Sequence, residues 1–248
     1  MLAGILVSLL FWWRLARHEP RLLVVYAGGL VGAFFGAKVV YVIAEGWQHF
    51  GAPDMWLQLA TGKSILGALL GGYAGVELAK HLIHYSQPTG DRFASIAPVG
   101  IMLGRVGCLL HGCCLGIVCQ PHWYALRDVT GAPRWPAVPV EILFNAVAVL
   151  FFVILRRKGW MTGQHFHLYL IGYGLFRFAH EFARATPKVL SDFSGYQVAA
   201  ITVVFLGVVG FGRRRFAQGV GGHRPPLQES GDEVTPRPRR TTSFAARR

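Results

Sequence analysis

Apolar residues fall into long runs, and most of the charged residues lie in the short connections between them. The runs cover about residues 1–13, 22–44, 64–83, 94–116, 137–155, 165–183 and 196–212. Most approach the roughly 20 residues that carry a helix across the hydrocarbon core of a bilayer. The pattern therefore predicts an all-α polytopic membrane protein with seven transmembrane helices over residues 1–212. The first run is short and begins at the initiator Met, so the expectation is either a helix that tilts and thins the bilayer or, the preferred reading, a start lying upstream. It is not a signal peptide, because Arg14, Arg17 and Arg21 follow the apolar stretch instead of preceding it. Residues 213–248 are rich in Pro, Gly and Arg and lack an apolar period, so a disordered basic tail is expected there.

Composition sharpens this picture. Hydrophobic residues make up 53% of the 248 and charged residues only 15%, with 31 glycines. So few charges cannot cover a soluble globule, which leaves the membrane as solvent. The net charge of +13 does not indicate a nucleic-acid reader. Nine arginines sit in the last 36 residues, and most of the other Lys and Arg lie in connections, where they set topology and meet anionic lipid head groups. Arg14, Arg17, Arg21, Lys80, Arg92, Arg156, Arg157, Lys158, Arg213, Arg214 and Arg215 fall on one side. Lys63, Arg127, Arg134, Arg184 and Lys188 fall on the other. Eleven against five makes the first side cytoplasmic, with the N-terminus out and the C-terminus in.

A few charges lie inside the apolar runs, at Lys38, Arg105, Glu141, Arg177 and Glu181, accompanied by His111 and His180. Each costs at least about 2.5–3.5 kcal/mol at mid-membrane and needs a partner, water or a task. Lys38 can snorkel to the interface or face inward. Arg105 and Arg177 have apolar sequence on both sides. Two guanidiniums and two carboxylates can neutralise one another, or the guanidiniums can act as bidentate forks for the phosphate of an anionic lipid. Arg177 and Glu181 are spaced i, i+4 and can pair on one helix. His180 points elsewhere, to lipid or a neighbouring helix. The glycines at 67–75 and 104–116 allow close helix packing or close approach of backbone to a ligand.

The segment Gly104-Arg105-Val106-Gly107-Cys108-Leu109-Leu110-His111-Gly112-Cys113-Cys114-Leu115-Gly116 resembles a signature of the prolipoprotein diacylglyceryl transferases, Gly-Arg-x-Gly-Asn-Phe-x-Asn-Gly-x-x-x-Gly. Tyr173-Gly174-x-x-Arg177-x-x-x-Glu181-Phe182-x-Arg184 is similar to a second signature of that family. Arg134-x-Pro136 with Glu141, Gly36-x-Lys38-x-x-Tyr41 and Gln197 follow in the same order. Several positions depart from the pattern. Leu66 stands at the family histidine, Cys108 and His111 at its asparagines, Trp135 at the His of its Arg-His-Pro, and Lys38 at an arginine. The family's functional Tyr in the first span has no counterpart before Arg14.

The resemblance implies a bacterial inner-membrane enzyme that moves the diacylglyceryl group of phosphatidylglycerol onto the lipobox cysteine of a prolipoprotein signal peptide. A thioether forms, glycerol phosphate leaves, and no cofactor is required. On that reading Arg105 and Arg177 hold the phosphate, Glu141 and Glu181 orient them, and Tyr173, Gly104, Gly107, Gly116 and Lys38 complete the phosphatidylglycerol site. His111 is the candidate base in place of the imidazole that Leu66 replaces. A paralogue serving another acceptor, or an inactive anionic-lipid-binding scaffold, remains the alternative. Cys108, Cys113, Cys114 and Cys119 do not have the paired spacing of a zinc site. They read as small side chains packed among glycines, or as redox or acceptor thiols, with Cys119 nearest the outer face.

Overall fold

A computed structural model describes residues 19–188 and 193–221, with residues 6, 9, 10, 12–14 and 17 before them. Most of the first apolar run, and the tail from 222, lie outside the described residues. Among the described residues six long helices account for most of the chain: α1 (Arg21–Ala44), α3 (Ile65–Leu82), α4 (Gly90–Leu110), α5 (Ala137–Lys158), α6 (His165–His180) and α7 (Gly195–Gly221). A short helix, α2 (Met55–Thr61), lies in the connection before α3. A two-residue hairpin, β1 (Leu126–Arg127) with β2 (Pro133–Arg134), lies between α4 and α5; it pairs Leu126 with Arg134 and Arg127 with Pro133, antiparallel.

The helices are apolar outside as well as inside. Phe35 is 63% exposed, Ile43 71% and Phe205 68%, although each sits in mid-helix or one turn from its end. Such faces suit acyl chains, not water. Among the described residues four helices are long and apolar enough to cross a membrane: Arg21–Ala44, Gly90–Leu110, Ala137–Lys158 and the Gly195–Phe216 part of α7. α3 has 18 residues and α6 only 16, because a 3-10 turn, Glu181–Ala183, takes over where the second charged motif begins. Helix α7 also runs nine residues past the expected boundary at 212. Within that helix Arg214 Nη1 donates to the Gly163 carbonyl, just before α6, at 3.2 Å.

Three antiparallel pairs build the bundle. In α1 and α3, Gly28 faces Gly75, Gly32 faces Gly71 and Gly36 faces Gly67, so closely that a Cβ on Gly32, Gly36, Gly67, Gly71 or Gly75 would fall on the opposing carbonyl oxygen. In α4 and α5, Ser95 meets Arg156 at one end (3.1 Å) and Arg105 meets Glu141 at the other (2.9 Å). In α6 and α7, Gly174 rests on Val204 and Ala200, and Gly210 on His167. The pairs share a core of Leu66, Leu69, Phe152, Tyr169, Leu170, Tyr173, Ala200 and Val203.

The two ends of the bundle differ. At one, Asp91 accepts from the amides of Gly163 (2.6 Å) and His165 (3.1 Å), tying the start of α4 to the start of α6. The other end carries the longer connections. There Asp128 accepts from Thr130 and Ala132, and from Arg134 Nε at 2.9 Å. The Thr130 contact first, then Arg134, holds the Asp128 carboxyl well below the usual carboxylate range. Arg134 therefore serves the hairpin.

Lys38 is also structural at this end. Its Nζ donates to the carbonyls of Leu59 (2.7 Å), Ala60 and Gly62 (2.9 Å), capping the last turn of α2 with all three ammonium protons. Lys38→Met leaves three carbonyls without that donor. The variant should unfold at lower temperature in detergent, by an amount corresponding to about 1 kcal/mol, with phosphatidylglycerol affinity unchanged.

Candidate active site

Five charged side chains converge where α4, α5 and α6 meet the longer connections. Arg105 comes from the penultimate turn of α4, Glu141 from the second turn of α5, Arg177 from the last turn of α6, Glu181 from the 3-10 turn and Arg184 just beyond it. All are buried, and both glutamates are fully so. Arg105 Nη2 lies 2.9 Å from Glu141 Oε2, and Arg177 Nη1 pairs with Glu181 Oε2. Arg184 bridges the two carboxylates, its Nη1 at 3.7 Å from Glu141 Oε2 and its Nε at 3.9 Å from Glu181 Oε2.

Neutral groups fix both carboxylates. Tyr173 donates its hydroxyl to Glu141 Oε1 at 2.7 Å. One turn along α5, Asn145 Nδ2 donates to the Glu141 carbonyl (2.8 Å) and Asn145 Oδ1 accepts from Tyr169 (2.8 Å). Glu181 Oε1 accepts from Thr186 and from Ser194 (3.2 Å). Gln197 in turn accepts from the Ser194 amide at 2.8 Å, so the opening of α7 reaches the site through one hydroxyl. With both carboxylates ionised, three guanidiniums leave one positive charge in excess. Arg105 Nε is buried without a hydrogen-bond acceptor among the described residues, while Arg184 Nε and Nη1 face the two carboxylates beyond hydrogen-bond distance. Buried donors of this kind demand an acceptor, and a phosphate oxygen is the acceptor that a planar fork fits best.

One face of α4, next to Arg105 in the chain, is open. A Cβ on Gly104 or Gly107 would meet nothing within 4 Å. His111 is on the same face of α4 by its i, i+3, i+7 spacing from these glycines, exposed at the C-cap of the helix. It is not within the ion-pair cluster. Gly116 plays a different part: a Cβ there would strike Trp135 at 2.6 Å and the Ala183 carbonyl at 2.8 Å. Its amide donates to the Trp135 carbonyl (3.1 Å), and the Ile117 amide to that of Ala183 (3.1 Å), which straps the connection after α4 across the end of α6. Leu66 lies in the dry core, 1% exposed.

Two residues near the cluster were outside the expected site. Arg184 reads along the chain as a connection charge, although the second signature contains it; the 3-10 turn folds it back onto both glutamates. His180 faces the connection before α5, where Trp135 Nε1 donates to its Nε2 at 3.4 Å, and it stacks on Phe176. No helical wheel anticipates a partner in an irregular segment. Three of the four thiols also converge beside Arg105: the Sγ atoms of Cys108, Cys113 and Cys114 lie within 4.8 Å of one another, without Cys119.

A family model described as prolipoprotein diacylglyceryl transferase matches residues 1–213. Curated relatives named phosphatidylglycerol–prolipoprotein diacylglyceryl transferase align over most of the chain. The Clostridium tetani protein is 28% identical over 198 residues, covering 76% of this chain and 78% of the relative. The Vibrio parahaemolyticus protein is 29% identical over 197 residues, 73% and 70% of the two chains. The Dehalococcoides mccartyi protein is 27% identical over 228 residues, 84% and 85%.

Proposed function

The chain belongs to the prolipoprotein diacylglyceryl transferase family, and from that premise we propose that it moves the diacylglyceryl group of phosphatidylglycerol onto the lipobox cysteine thiol of a prolipoprotein. The observation that carries the reading is the buried cluster of three guanidiniums on two carboxylates, with Arg105 Nε left without an acceptor among the described residues, on the helix that carries the open Gly104 and Gly107. In the reaction the thiolate sulfur attacks the diacylglyceryl carbon and a C–S bond forms. The C–O bond to phosphate breaks, and glycerol phosphate departs with the electron pair. Arg105 and Arg177 hold the phosphate and stabilise its growing charge, work that preorganised cations do well in a dry site. Glu141 and Glu181 keep the two forks aimed, Tyr173 locks Glu141, and Arg184 couples the two carboxylates. Gly104 and Gly107 leave room for the lipid.

The thiol proton needs an acceptor, since thiolate is the nucleophile. His111, solvent-facing at the end of the open glycine face, is that base. His111→Ala should lower turnover about 10²–10⁴-fold, with phosphatidylglycerol binding retained. A fall of less than tenfold, together with a large fall in His180→Ala, would move the base to the buried imidazole.

The reading carries a topology of seven spans in a bacterial inner membrane, N-terminus out and C-terminus in. It is supported by the bundle's sorting of Lys80, Arg92, Arg156–Lys158 and Arg213–Arg215 to the end opposite the site. The site then lies towards the outer leaflet.

The deciding experiment gives the purified protein, in phosphatidylglycerol micelles, a lipobox peptide and follows glycerol phosphate and peptide mass together. A diacylglyceryl mass gain is expected. Glycerol phosphate release without that gain would mean another acceptor. Tight lipid binding with no release would mean a scaffold, the outcome that Leu66 in place of the family imidazole favours.

A further inference from the structure

Three cysteines take no part in the reaction above, yet the chain goes to some lengths to assemble them. Cys108 is on the last turn of α4, while Cys113 and Cys114 follow the helix end, and the three Sγ atoms lie within 4.8 Å of one another. The connection doubles back to achieve this. The Cys113 amide donates to the Cys108 carbonyl at 3.1 Å, and the Cys113 thiol points to the same oxygen at 3.6 Å. Gly112 takes a left-handed backbone with φ +67°, and Cys114 does too with φ +62°. For Gly112 that conformation is free of steric cost, but a residue with a Cβ is strained in it. Neighbouring side chains on an extended strand point to opposite sides. The left-handed turn at Cys114 lets both adjacent thiols face Cys108.

Simple packing does not account for the arrangement. Cys114 is exposed and Cys108 and Cys113 are half-buried, so the trio is open to solvent at one side. All three thiols are free, which leaves three soft donors facing one small volume. Metal–sulfur bonds of about 2.3 Å place three sulfurs around a trigonal or tetrahedral ion roughly 4 Å apart, inside the observed limit. Arg105 Nη1, 4.0 Å from Cys108 Sγ, sets a positive charge against the thiolates.

We propose that Cys108, Cys113 and Cys114 form a three-thiolate site for a thiophilic d10 metal ion. Cu(I) matches a three-coordinate sulfur set, and Zn(II) completes it with one water. Each thiol gives its proton to solvent on binding. Cys119, outside the trio, is not a ligand. The spacing along the chain argued against a metal because adjacent cysteines rarely ligate one ion; the left-handed turn removes that objection.

The test uses the full-length protein, reduced and oxygen-free in detergent. Cu(I) is offered from a chromophoric chelator in one titration and Zn(II) in another, and thiols reactive to a disulfide reagent are counted before and after. One ion per chain is expected for at least one metal, with reactive thiols falling from four to one. Cys119→Ser should bind as tightly as the parent, and Cys114→Ser, outside the helices, should lose about tenfold or more in affinity. Failure of both metals to bind would overturn the site, as would unchanged affinity in Cys114→Ser or a count that stays at four. None of these readouts involves turnover, so the metal site stands or falls separately from the transferase reading.

Discussion

Arg105→Ala and Arg177→Ala each abolish diacylglyceryl transfer, with a fall of at least about 10²–10³-fold expected from losing one preorganised donor at the departing charge. The geometry makes the loss larger than one contact. Arg105 is the 2.9 Å partner of Glu141, and Arg177 pairs with Glu181. Removing either leaves a fully buried carboxylate with Arg184 alone, at 3.7 Å from Glu141 or 3.9 Å from Glu181, and losing the closer partner costs up to about 3–5 kcal/mol of stability in its own right. Turnover therefore has to be read beside a fold measurement. Arg105→Lys and Arg177→Lys supply it: each keeps a charge for the carboxylate but loses the planar fork. The lysine variants should elute from size exclusion as the parent does, bind phosphatidylglycerol more weakly, and turn over far more slowly. Cys119→Ser should retain full activity. Full activity in both alanine variants would show that these guanidiniums do not hold the phosphate.

Gly71→Leu should prevent α1 and α3 from pairing. A Cβ on Gly71 falls on the Gly32 carbonyl oxygen and within 2.8 Å of the Gly36 Cα, so the atoms in the way are backbone and no side chain can move aside. Gly71→Ala already forces the helices apart, at about 1–3 kcal/mol by analogy with overpacked cores. Leucine adds three more carbons in the same gap and should yield no folded protein in detergent. Gly100→Ala is the control on a neighbouring helix, because a Cβ there meets nothing within 4 Å. It should leave the unfolding temperature unchanged or raise it, since alanine is the better helix former. Equal stability in Gly71→Ala and Gly100→Ala would refute close backbone contact as the cement of this pair. Small residues matter this much because lipid offers no hydrophobic drive to join helices, which leaves close packing to do so.

Some of the site could be read directly along the chain. Arg177 and Glu181 are one helical turn apart, and their pairing needs only the 3.6-residue period. The charge cost of residues within apolar runs marked Arg105, Glu141, Arg177 and Glu181 before any fold was known, because lipid makes such charges rare. The pairing of Arg105 with Glu141 was not readable in this way. Thirty-six residues separate them, and they meet only because α4 and α5 run antiparallel with a hairpin between. Lys38 shows the reverse case: its charge is as conspicuous as the others, but the end of a short helix in the connection after α1 supplies three carbonyls that absorb it. Arg184 and His180 depend on irregular backbone, a 3-10 turn and a strapped loop, where no periodicity operates.

What the sequence determined by itself was the solvent, the helical class and the identity of the costly charges, because these follow from local composition and from the price of polarity in hydrocarbon. Partnership was decided only in the tertiary structure. Which guanidinium meets which carboxylate, which glycines lie face to face and which three of four cysteines converge are all set by the order and direction in which the helices pack. A linear pattern specifies the faces of a helix; it does not specify the neighbour against which each face comes to rest.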